Sequence, residues 1–169
     1  MLPTDLHDRL GRPCALFIRS GGASMTADPE LGPSEGGGVM AHPNEELVRR
    51  GFAAFGAGDM ATLDGLFADD IVWHVGGRSP LSGDYAGKEA VLGYFGRLGQ
   101  ETGGSFRIEI HDMLANDEHV VALTTASAQR QGKSLSDAPG VQVFHVRDGR
   151  VTESWFHAGD QYASDEFFT

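Results

Sequence analysis

The chain has 169 residues, 40% of them apolar and 22% charged, which suits one folded domain and is too short for two ordinary ones. Its 24 acidic side chains against 13 basic ones leave a net charge of −11. That balance argues against a nucleic-acid backbone or an anionic membrane as partner, since both select clustered cations. Cys14 is the single cysteine, which excludes an internal disulfide. The apolar run Cys14-Ala15-Leu16-Phe17-Ile18 is too short for a signal core or a membrane span, so a cytoplasmic location is expected.

From Ser20 to Gly38 the chain is dominated by Gly, Pro and Ser, with no apolar periodicity. Such a stretch buries too little surface to offset its ordering entropy, so residues 1–41 are expected to form a disordered extension. Two origins stay open for it. Glu35-Gly36-Gly37-Gly38 must be encoded by purine-rich codons just ahead of Met40, as a ribosome-binding site would be, making Met40 a natural start; otherwise the segment is an ordinary flexible arm.

Asn44 is the expected N-cap of a first helix, with Glu45 and Glu46 in its first turn and Leu47, Val48, Phe52 and Phe55 on one face. Gly56-Ala57-Gly58 ends it, and Asp59 caps a short second helix bearing Met60, Leu63, Leu66 and Phe67. A strand is expected over residues 71–75, then a polar loop over 76–84. A third helix over 88–101 places Val91, Leu92, Phe95 and Leu98 at core spacing. Beyond Gly103-Gly104 the period changes to two: Phe106, Ile108 and Ile110 alternate with Arg107, Glu109 and His111. A second long strand should run over 119–130, with a polar connection over 131–139. Two more strands, over 141–147 and 150–157, flank Asp148-Gly149, a strong signal for a two-residue hairpin turn. The expected class is α+β, one curved antiparallel sheet packed on three N-terminal helices.

Gly58-Asp59, Phe67-Ala68-Asp69-Asp70-Ile71-Val72-Trp73, Gly87-Lys88-Glu89-Ala90-Val91 and the closing run from Val143 to Trp155 resemble the nuclear transport factor 2-like superfamily. Within it the resemblance is to the SnoaL-like and ketosteroid-isomerase-like members, over about residues 43–160. It implies a cone: a bent sheet around a pocket, closed by helices. It divides the chain into a domain over 42–160 and a tail over 161–169. Members of the superfamily include cyclases, isomerases, hydrolases and proteins that only bind or dimerise, so the resemblance locates a site without naming its chemistry.

The hairpin allows a separate argument about that site. With Asp148-Gly149 as the loop, Arg147 pairs with Arg150, Phe144 with Glu153 and Gln142 with Trp155. One face then carries Gln142, Phe144, Val146, Val151, Glu153, Trp155 and His157, a mixed aromatic and polar surface suited to a small molecule. The other carries Val141, Val143, His145, Thr152, Ser154 and Phe156, suited to a helix or a second subunit.

Carried over from the isomerases, the oxyanion tyrosine falls near Gly51, the protonated aspartate near Gln142 and the aspartate base near His74 or Val75. Steroid isomerisation by that mechanism is therefore disfavoured. His74, at a strand end, is the candidate general acid or base, against the plainer reading of a histidine bonded to its loop. His157 and Asp160 are candidates for a supporting acid–base pair. Gln142 would orient a carbonyl, and Trp155 and Trp73 would form walls. Tyr94 could donate a phenolic hydrogen bond, and Asp112 could be a base if the Phe106–Ile108–Ile110 face points inward.

No His-Glu-x-x-His, Walker or glycine-rich dinucleotide motif occurs, so neither metal nor nucleotide cofactor is expected. Phe167 and Phe168, on an acidic tail, should plug the pocket mouth or cross to a partner subunit. The expected function is binding of a small apolar ligand by a homodimer without cofactor. Two versions stay open: an acid–base enzyme of isomerase, cyclase or hydrolase type, and a non-catalytic binding or dimerisation module.

Overall fold

A computed structural model describes residues 41–169, so the expected N-terminal extension and the alternative start at Met40 lie outside the described residues. Helix α1 (Pro43–Ala57) begins two residues earlier than Asn44 as N-cap would require. His42 is the cap, its Nδ1 accepting from the Asn44 amide at 3.2 Å, and Pro43 takes the first turn, where no backbone donor is needed. Asn44 is used elsewhere: its side-chain nitrogen donates to the carbonyls of Asn116 and Asp117 at 2.8 and 3.0 Å, tying α1 to a distant turn. Gly58, at φ 70°, ends the helix in the left-handed conformation that glycine adopts without strain. Asp59 then caps α2 (Met60–Leu66), accepting from the Thr62 amide and hydroxyl at 3.0 and 2.6 Å.

Strand β1 (Phe67–Val75) starts four residues earlier than its apolar run, and β2 (Gly83–Ala86), which begins in the last two residues of the expected loop, pairs with it antiparallel. Helix α3 (Lys88–Glu101) has the expected bounds. The remaining strands are β3 (Arg107–Ala115), β4 (His119–Arg130), β5 (Lys133–Arg147) and β6 (Arg150–Ala158). The expected polar connection over 131–139 is mostly strand, because Gln131-Gly132 alone makes the turn, at φ 48° and 82°. Asp148-Gly149, at φ 52° and 69°, turns the next hairpin as its sequence demands.

The sheet order is β2-β1-β6-β5-β4-β3. It is antiparallel except between β1 and β6, which run parallel; the chain reaches β6 from β1 only after the whole meander β3–β5, so a tight turn does not dictate their direction. The C-terminal tail is also ordered differently from expectation: Gln161–Phe168 form helix α4, capped by the Asp160 carboxylate on the Ala163 amide at 3.0 Å.

Helices and inner sheet face share one apolar core, in which Ile71, Val91 and Val120 are wholly buried. Its centre is aromatic. The Phe95 ring lies 5.1 Å from Trp73, 5.2 Å from Phe55 and 6.3 Å from Phe67, in edge-on or tilted arrangements that the ring quadrupoles favour.

Two bulges decide which side chains reach that core. In β3 the register shifts between Ile110 and Asp112, so Met113, opposite Ala122, is buried and Asp112 falls opposite Leu123 on the outer face. In the β5–β6 hairpin the register shifts between His145 and Val146. Beyond it Phe144 pairs with Ser154 and Gln142 with Phe156, not with Glu153 and Trp155. One extra residue on a strand of period two turns every later side chain over.

Candidate functional site

Between the apolar face of α1, helix α3 and the inner sheet face lies a cavity of about 80 Å³. Leu47, Val48, Gly51, Phe52 and Phe55 reach it from α1, because positions four apart stack on one side of a helix. Tyr94, Phe95 and Leu98 come from α3, and Trp73, Gln142, Phe144 and Phe156 from the sheet. Roughly 150 Å³ is what a dry apolar cavity needs to admit benzene, so a ring can enter this one only if its walls give way.

Gln142 brings the one side-chain amide of that lining, and it is 4% exposed. Its nitrogen donates to the hydroxyl of fully buried Ser154 at 3.0 Å, and the amide oxygen has no hydrogen-bond partner among the described residues. No side-chain polar atom among those residues is both sealed off and unpaired, so that oxygen is open to the cavity. Since a serine hydroxyl both donates and accepts, the pair can present either end of the amide to a ligand. Tyr94 adds a phenol. Burial, then the neighbouring Tyr85, pushes its pKa above the ordinary value, so it stays a neutral hydroxyl. Among the described residues the lining holds no carboxylate, imidazole, ammonium or guanidinium.

Of the residues singled out from the sequence, the structure brings Gln142, Tyr94 and Trp73 to this cavity. Trp155, His157 and Glu153 do not reach it. The hairpin bulge turns them to the opposite sheet face, and Phe156 takes the wall position expected of Trp155. Asp112 is exposed, its carboxylate bonded to the Met113 amide at 2.8 Å. His157 and Asp160 form no pair: His157 is exposed, and Asp160 caps α4. Phe167 is buried and Phe168 packs on the core, yet neither lines the cavity. Ser154 and Phe156 are the site residues that the unbulged register concealed.

His74 belongs to the outer face. Its Nδ1 meets Asp84 of β2 at 2.7 Å and its Nε2 meets Glu153 of β6 at 3.0 Å. Trp155 lies parallel to the ring at 5.1 Å. Burial by itself would lower the His74 pKa, but hydrogen bonds and charge from Asp84 and Glu153 together outweigh it and raise the value. The second Glu153 oxygen lies 3.3 Å from Nδ1 of His145, whose ring is edge-on to His119 at 4.4 Å. With a carboxylate at each ring nitrogen, the surroundings of His74 favour the imidazolium form, in which both nitrogens donate. Among the described residues no three His, Cys, Asp or Glu side chains are arranged to hold a metal ion.

A bent sheet closed by helices over an apolar cavity defines a cone-type α+β domain. The family model described as "SnoaL-like domain" matches residues 48–154, and the chain belongs to that family. An uncharacterised protein of Mycobacterium tuberculosis is 36% identical over 125 residues, 73% of this chain and 94% of that one. Among solved structures, Bal32a from a soil-derived mobile gene cassette is 44% identical, with a TM-score of 0.73 over 75% of this chain and 97% of its own. An NTF2-like protein from Burkholderia xenovorans is 24% identical, with a TM-score of 0.64 over 75% and 96% of the two chains, and shares the fold.

Proposed function

We propose that this domain binds a small, neutral, largely apolar molecule carrying one oxygen function, and that it works as a binding module rather than an acid–base catalyst. The observation that carries the reading is the Gln142–Ser154 pair, an amide with one unpaired end in an otherwise apolar cavity. A charged ligand would lose several kcal/mol of hydration with no counter-charge in the lining to offset it. The candidate acid–base residues, His74, His157, Asp160 and Asp112, are spent on caps and ion pairs or face away from the cavity. The test uses phenol and toluene, which share a shape and differ by a hydroxyl, titrated while the Trp73 indole is followed by NMR. Gln142→Leu should weaken phenol about tenfold, the worth of one hydrogen bond of about 1.4 kcal/mol, and leave toluene unchanged. Equal loss for both, or no binding of either by the native protein, would refute it.

A second reading concerns partners. Leu114, Val121, Val143, Trp155 and His74 pair in succession across five strands of the outer face, and Leu114 at its edge is 59% exposed. We propose that two copies of the chain pair through this row. Sedimentation velocity should find a dimer for the native protein and a monomer for Leu114→Glu with Trp155→Glu; a native monomer at micromolar concentration contradicts the pairing.

A further inference from the structure

The face that α1 turns to the cavity is bulky except at its middle. Leu47, Gly51 and Phe55 are four residues apart and stack along one side of the helix, flanked by Val48 and Phe52, so the row lacks a side chain only at its centre. Nothing in the backbone calls for glycine there. Gly51 is not among the glycines of positive φ, and a Cβ built on it would meet a single neighbour, Leu66 Cδ1, at an ordinary 3.8 Å. Gly159 is the contrast: a Cβ there would press on the Pro139 carbonyl at 2.8 Å. A glycine inside a helix also weakens it relative to alanine. Gly56, Gly65, Gly93, Gly96 and Gly99 share that weakness, but each looks into open space and none lines the cavity.

We propose that Gly51 is the size-determining residue of the cavity: its missing side chain leaves a notch against Leu66 that accepts one edge of a ligand ring. The inference rests on the cavity being the binding site. A cavity of about 80 Å³ is small enough for one methyl group to remove a substantial share of it. Gly51 therefore separates ligands by bulk, whereas Gln142 separates them by polarity, and the class selected is a neutral compound with at least one ring, presented edge-first to α1. The aromatic walls suit that presentation, since Phe52, Phe55 and Phe95 offer ring faces and edges to a ring between them.

The test is a size ladder of neutral probes, xenon, benzene and p-xylene, measured by NMR on the full chain as native protein, Gly51→Ala, Gly51→Val and the same-helix control Gly56→Ala. Both alanine variants should melt at higher temperature than the native protein, since alanine is the better helix former. Gly51→Ala should weaken benzene and p-xylene at least tenfold while xenon changes less than twofold. Gly51→Val should abolish benzene and p-xylene binding, and Gly56→Ala should bind the whole ladder as the native protein does. If the native protein binds the ladder and Gly51→Ala binds it identically, the role given to Gly51 is wrong and the cavity reading stands. If the folded native protein binds none of the probes, the cavity reading itself is wrong.

Discussion

Replacing Phe95 by alanine is expected to destabilise the protein by about 3–5 kcal/mol, the usual cost of deleting a buried aromatic side chain. The upper part of that range applies here. Phe95 is 7% exposed and sits among Trp73, Phe55, Phe67 and Tyr94, so four ring contacts disappear with it. The site also cannot collapse easily, because Phe95 already borders a cavity and its loss enlarges that void rather than opening one that neighbours could fill. A typical domain holds only about 5–15 kcal/mol of net stability, so the variant should be near the limit of folding at 37 °C. Urea unfolding followed by tryptophan fluorescence measures the effect. A loss below about 1 kcal/mol would mean that the aromatic cluster is not the mechanical centre of the core.

Gly77→Ala should cost about 2–4 kcal/mol, from backbone strain together with the hydrogen bonds it breaks. Gly77 has φ 102°, a conformation that side-chain-bearing residues rarely adopt. A Cβ there would also run into Asp165 Oδ1 and Gln161 Nε2 of α4. Those atoms are not free to step aside. Asp165 Oδ1 accepts from the Arg78 amide at 2.9 Å, and Gln161 Nε2 donates to Asp165 at 3.1 Å and to the Gly76 carbonyl at 3.3 Å. Relieving the collision therefore breaks the clasp between α4 and the 76–78 loop. The far end of α4 stays held, because Arg130 donates to the Phe167 carbonyl at 3.2 Å and Lys133 to the Glu166 carbonyl at 2.7 Å. These are cations at the helix end where they are favoured. Hydrogen exchange should show faster exchange in α4 with little change in α3. Unchanged protection of α4 would refute the clasp.

Several elements set by local chemistry agree with the sequence, although the cap of α1 is His42 and not Asn44. Helix α3 and strand β4 match their expected bounds, the Asp148-Gly149 turn forms, and Asp59 caps α2. The α+β cone and the apolar face of α1 also agree with expectation. The reversed side-chain faces of the sheet have a common cause. Both bulges fall at positions without a glycine or other marker, so the parity of β3 and β6 depends on how the partner strand fits. That is why Glu153, Trp155 and His157 lie on the face opposite to the one an unbulged hairpin gives them, and why Asp112 leaves the face of Phe106, Ile108 and Ile110. Helix α4 is eight residues long, too short to show a periodicity, although Asp160 as its cap and the paired phenylalanines were both legible. The cavity could not be read because its shape depends on a side chain that Gly51 lacks and on a register that brings Phe156 inward.

The bulge between His145 and Val146 has a consequence at the level of the gene. Thr152 is its extra residue, since Val151 pairs with Val146 and Glu153 with His145. Loss of the Thr152 codon would make the hairpin regular and keep Phe144 opposite Ser154 and Gln142 opposite Phe156. This stretch of the gene can therefore shed three nucleotides without turning Trp155 inward, whereas the same loss further along β6 would exchange the faces of every residue after it.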